Sequence, residues 1–205
     1  MLTETVKIEK VDNLKSIGTN KNKKQIILCH SSRKITEYIN SLKYRHNGNF
    51  NRVPNYVIDR NGVIYELIPS QEYSEYFKDE QINKNSIIIC FENLGWLEKI
   101  PLSNEYVNWI GDIYNGEVIE KKWRDYFYWQ PYTEIQINVC VELCKNLLVT
   151  YSIKKQSVTH NTKIENVEKF SGIVSKSNFS VEYTDLSPAF NFESFQKKID
   201  NEQFL

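Results

Sequence analysis

Between Ser86 and Glu92 the chain reads Ser-Ile-Ile-Ile-Cys-Phe-Glu, an apolar run of strand length. A strand with so little alternation belongs in the middle of a sheet, covered on both faces. Gln25-Ile-Ile-Leu-Cys-His30 is a second short apolar run, and it ends at a histidine. Asn55 to Ile68 reads as a β-hairpin, because two apolar runs flank Asn61-Gly62. Helical spacing appears at Ile35, Tyr38, Ile39 and Leu42, where Ser31 and Ser32 are placed to cap. The clearest helix opens at Thr133. Ile135, Val139, Leu143, Leu147 and Tyr151 recur every fourth residue, with Cys140, Cys144 and Leu148 beside them. Strands and helices mix without strict alternation or repeats, which predicts an α/β fold with a mixed central β-sheet flanked by helices. The 205 residues, 40% of them hydrophobic, suit a single domain, 1–205.

Some stretches fall outside this pattern. Residues 1–23 form an N-terminal extension ending in a polar loop. Residues 94–132 are aromatic-rich, with Trp96, Trp109, Trp123 and Trp129, and have no clear assignment. Within them Trp123 to Tyr132 suits packing or a protein interface better than stacking on sugar rings. Ser157-Val-Thr-His160 is strand-like and ends at a second histidine. A polar loop follows, then Asp185-Leu-Ser-Pro-Ala-Phe190 and a short helix to about Ile199.

Lys+Arg and Asp+Glu are both 26, so no global basic field exists to hold nucleic acid or an anionic membrane. No run is long enough to span a membrane, and Met1 to Lys10 lacks the apolar core of a signal peptide. The expectation is a soluble chain made in the cytoplasm. Cys29, Cys90, Cys140 and Cys144 form no CxxC pair, and the expectation is four reduced thiols.

His30 and His160 both end predicted strands, where rigid elements present side chains to a site. A zinc hydrolase needs three protein ligands and an open position for water, which His30, His160 and one carboxylate would satisfy. By spacing alone, with no HExxH or short His/Cys cluster, two structural histidines are the commoner alternative. His46, beside Asn47-Gly48, reads as a helix cap or surface residue. Cys29 adjoins His30 but faces the opposite side of a strand, so it reads as core.

Taken in order, strand-His30, capped helix, Asn55-to-Gly62 hairpin, Ser86-Ile-Ile-Ile strand, Thr133 helix, Val158-Thr-His160 and Thr184-Asp-Leu-Ser-Pro-Ala-Phe190 resemble the zinc-dependent N-acetylmuramoyl-L-alanine amidases. That family takes in phage lysins, muropeptide amidases and animal peptidoglycan recognition proteins. The likeness runs from about Gln25 to Phe195. It implies an α/β fold with zinc in a groove, held by His30, His160 and Asp185. The implied reaction is hydrolysis of the amide between the muramic acid lactyl group and L-alanine in peptidoglycan. Zinc polarises the carbonyl and yields hydroxide at neutral pH.

There are departures from the family pattern. The stretch between His160 and Asp185 is longer, so an insertion, about 163–181, is expected to loop out as an exposed rim. Cys90 stands where members often carry a catalytic glutamate. Glu92, two residues on and on the same strand face, is either a replacement general base or a salt-bridged strand end. Tyr183 stands where members carry an auxiliary lysine, and it is the expected oxyanion donor. Lys176 is held in reserve, since the insertion can fold it back. The expected partner is peptidoglycan, with phage structural proteins as further candidates. The expected place of action is the bacterial cell wall, free or virion-associated. The rival reading is a peptidoglycan-binding or virion structural module with the same fold and no turnover.

Overall fold

The computed structural model describes residues 7–201. In chain order the elements are β1 (Ile8–Lys10), β2 (Gly18–Thr19), β3 (Gln25–His30), α1 (Ile35–Tyr44), β4 (Tyr56–Ile58), β5 (Ile64–Glu66) and β6 (Glu72–Tyr73). Then come α2 (Glu80–Asn85), β7 (Ser86–Phe91), β8 (Trp96–Lys99), β9 (Tyr106–Val107), β10 (Ile113–Tyr114), β11 (Ile119–Trp123) and β12 (Tyr126–Trp129). The last are α3 (Glu134–Thr150), β13 (Gly172–Ser175) and α4 (Phe192–Asp200).

The central sheet runs in the order β1-β5-β4-β7-β3-β13. Its neighbours are parallel except β4 and β5, the two arms of the hairpin, so the sheet is mixed. The two apolar runs become the neighbouring strands β3 and β7, and every residue of both is buried. Alternation across the strands sorts their side chains into two layers. Ile26, Leu28, Ile87 and Ile89 pack with α3 and α4. Ile27, Cys29, Ile88 and Cys90 pack with Leu42 of α1. Each such isoleucine is stabilised by about 1.5–3 kcal/mol on leaving water.

The hairpin turns at Gly62, whose φ is +83°, and the Asp59 carboxylate accepts from the Asn61 and Val63 amides. Helix α3 starts with a capping box between Thr133 and Gln136. Gln136 is fully buried and also donates to the carbonyls of Ile58 and Glu92, both at 3.1 Å. It therefore ties the helix start to the ends of β4 and β7.

Some expectations need correction. The N-terminal extension is partly structured: it supplies β1 and β2, while its first six residues lie outside the described residues. Helix α1 is not capped by Ser31 or Ser32, because the Ser31 hydroxyl bonds Arg33 and Ser32 adopts φ +55°. The helix begins after Lys34 with no side-chain cap. The stretch 163–181 does not stay in solvent. It returns as β13, four buried residues pairing in parallel with β3 from Gly172–Gln25 to Ser175–Leu28. Val158 bonds Ile173 from the far side, so the expected strand ending at His160 is a single bridge against β13. An unsatisfied edge on β3 would be costly, and Gly-Ile-Val-Ser fills it.

Four reduced thiols are not what the structure holds. Cys29 and Cys90 form a disulfide, with Cα atoms 4.7 Å apart, while Cys140 and Cys144 are free and buried. The register of β3 on β7 sets these two residues side by side. The aromatic segment 94–132 forms a second, antiparallel sheet in the order β10-β9-β8-β12-β11. Trp96 stacks on Tyr126, and Trp129 is fully buried with its indole N–H on the Lys121 carbonyl. The segment packs largely on itself.

Candidate active site

The carboxyl ends of β3, β7 and β13 converge on one polar cluster, the usual place for a site in an α/β sheet. β13 ends opposite Leu28, so the His30 backbone N–H points past its partner strand. The Asp185 carboxylate takes it, with Oδ2 at 3.4 Å. The Lys176 ammonium lies 3.4 Å from the same oxygen. Lys176 follows β13 directly, in a turn fixed by a capping box from Ser175 to Asn178. The Ser177 amide donates to the Asp185 carbonyl, which locks the two segments together.

The His30 ring is buried on the α3 side. Its Nδ1 is 3.2 Å from the Tyr132 hydroxyl, which also accepts from the Ser187 amide. Burial pushes the His30 pKa down to about 4, with Asp185 opposing and Lys176 adding to the shift. The imidazole is therefore neutral at pH 7. Burial raises the Tyr132 phenol well above the usual tyrosine range.

On the α1 side, the Lys176 ammonium lies 4.7 Å from the Tyr183 ring centre and 5.5 Å from that of Tyr76. The Tyr76 hydroxyl contacts the sulfurs of both Cys29 and Cys90. Burial, reinforced by the Asp185 charge, raises its pKa. Arg124, at the turn between β11 and β12, bonds the carbonyls of Ser180 and Tyr183. Tyr183 also borders a cavity of about 540 Å³ shared with Phe77, Phe179, Ile164 and Val167.

The structure thus brings together His30, Asp185, Tyr183 and the reserve residue Lys176. It does not bring in His160, which is exposed with Nδ1 2.7 Å from the Thr162 hydroxyl. Glu92 is also elsewhere: its carboxylate accepts from the Arg60 amide at 3.0 Å and so holds the hairpin turn. His46 is exposed and stacks on Phe50. Sequence reasoning missed Tyr132 and Tyr76, and also Gly95, where a Cβ would run into the His30 ring. Only the capping box that starts α3 beside Tyr132 gave any signal.

The fold is an α/β sheet with a buried histidine and aspartate meeting at its carboxyl edge. The chain belongs to the N-acetylmuramoyl-L-alanine amidase family, whose model matches residues 18–171. Among solved structures it is similar to the endolysin N-acetylmuramoyl-L-alanine amidase LysCS from Clostridium intestinale URNW. The TM-score is 0.58 at 14% identity, over 94% of this chain and 95% of that one. It is similar to the Staphylococcus aureus hydrolase AmiA in complex with its ligand, with TM-score 0.54 at 10% identity, over 95% and 81%. It is also similar to AmiD from E. coli with anhydro-N-acetylmuramic acid-L-Ala-D-gamma-Glu-L-Lys, with TM-score 0.53 at 15% identity, over 88% and 58%. No curated protein sequence matches the chain.

The zinc implied by the family resemblance can be tested against these residues. A catalytic zinc needs three protein ligands converging on one point. Among the described residues no group of three His, Cys, Asp or Glu is placed to hold a metal. Two of the expected ligands adjoin, the third faces solvent, and an ammonium sits on the carboxylate. As folded, the donor set does not fit a three-ligand zinc site.

Proposed function

We propose that the chain acts on bacterial peptidoglycan, at the amide between the muramic acid lactyl group and L-alanine. The family match over residues 18–171 carries this reading. Similar folds solved with a muropeptide bound, AmiD from E. coli and AmpDH3 from Pseudomonas aeruginosa, support the same substrate class. Lys176 and Tyr183 are the donors available to a substrate carbonyl oxygen, where a positioned donor stabilises a developing oxyanion. Neutral His30, held by Tyr132, is the nearest uncharged base.

A second reading, a module that binds the same polymer without cutting it, is favoured by the Lys176–Asp185 pair and by the position of His160. Purified sacculi separate the two. Release of stem peptide supports the amidase. Co-sedimentation without release supports the binding module, and the absence of both release and co-sedimentation overturns both readings. Glu92→Gln tests the base expected from the sequence: unchanged release assigns Glu92 to the hairpin alone. Phage association, as lysin or virion component, is part of the proposal because one similar fold is an endolysin. Its check is the presence of the chain in purified virions or in lysates.

A further inference from the structure

We infer that the Lys176 ammonium takes the place of a metal cation on Asp185, so that the folded chain has no zinc at this centre. The inference rests on the amidase reading of the fold, because that reading is what makes a metal the expected occupant.

The first observation is the pair itself. Asp185 Oδ2 receives both the His30 amide and the ammonium at 3.4 Å, and the Asp185 side chain is 6% exposed. A carboxylate buried this far requires a compensating charge or donors, and here it has both. The second is the aromatic wall. Tyr76 and Tyr183 present their rings to the ammonium, which favours a cation there. The third is how the lysine arrives. β13 is in register with β3, the Ser175–Asn178 capping box fixes the turn, and Ser177 bonds Asp185. Lys176 is thus delivered by rigid structure. The fourth is what the same turn does to His160. The Asn178 amide donates to the carbonyls of both His160 and Thr162, which pins that loop by its backbone and leaves the ring on Thr162.

A divalent cation at this carboxylate would meet the ammonium at short range, and the two charges repel most strongly where water is scarce. Zinc and Lys176 therefore compete for one place, and the structure gives it to lysine.

The test uses the full chain. The purified protein is incubated with zinc chloride alone, dialysed, and analysed for metal, and melts are recorded with zinc and with EDTA. No stoichiometric zinc and no shift in melting temperature is expected. One zinc retained per chain would overturn the inference, whatever residue binds it. A double-mutant cycle with Lys176→Met and Asp185→Asn gives a second measurement. Coupled losses of stability are expected, and strictly additive ones count against the pair. Sacculus co-sedimentation in EDTA is scored separately, so failure of the peptidoglycan reading is distinguishable from failure of the lysine assignment.

Discussion

A Cβ placed on Gly95 would meet Nε2 of His30 at 2.8 Å. Gly95 also adopts φ +79°, a conformation that other residues rarely accept. Absence of a side chain at Gly95 is what lets the buried imidazole occupy its site. Gly95→Ala should cost about 1–2 kcal/mol from the backbone alone, and displacing the ring should add to it. Urea denaturation gives the total, and the His30 ring resonances in NMR report the displacement. Unchanged resonances would show that the contact does not hold the ring.

Acid should weaken the fold through His30. An unfolded imidazole titrates near pH 6.5, and the folded one near 4 because it is buried. Between those values only the unfolded chain binds the proton, so falling pH favours unfolding. The contribution is fully present above about pH 6.5 and is lost as the pH falls towards 4, with an upper bound of about 3 kcal/mol. Denaturation curves of wild type and His30→Asn from pH 4 to 7.5 check this. The wild type should lose stability more steeply. Parallel profiles would assign the pH dependence to other groups.

Thiol counting should find two reactive cysteines in the denatured, unreduced protein and four after reduction, because Cys29 and Cys90 are paired. The bridge closes a sequence separation of 61 residues. A loop of that length restricts the unfolded chain enough to stabilise the fold by on the order of 4 kcal/mol. Dithiothreitol should lower the denaturation midpoint accordingly. Four reactive thiols before reduction would contradict the pairing.

Gln136→Leu should destabilise the fold by about 1–3 kcal/mol, since it leaves the Glu92 carbonyl without its donor and the Ile58 carbonyl with the Glu92 amide alone. Thr133→Ala removes the other half of the capping box and should cost about 1 kcal/mol. The two share one network, so the double variant should lose less than the sum. Thermal melts of the three variants measure this directly.

Much of the fold was legible in the chain because burial follows local pattern. The continuous apolar runs became the buried strands β3 and β7, and Asn61-Gly62 closed the hairpin. The period-four stripe became α3, with Cys140 and Cys144 inward. The aromatic stretch stayed unreadable because its short strands bury side chains mainly against each other, without the long alternation of a sheet on a core. β13 was hidden for a related reason: four residues among polar neighbours carry little periodic signal, and only the open edge of β3 makes them a strand.

The site divides in the same way. Residue type and strand-end position marked His30, and the Asp185-to-Phe190 segment marked Asp185, and the two are neighbours in the fold. The chain alone also determined which layers would form, since alternation along a strand sends each side chain to one face or the other. Which residues meet at the carboxyl edge was decided by tertiary structure. The insertion of β13 between β3 and the His160 segment leaves His160 in solvent and sets Lys176 on Asp185. The register of β3 on β7 pairs Cys29 with Cys90. Strand order and register are long-range choices, settled by which edges must be satisfied once the core closes, and no local pattern encodes them.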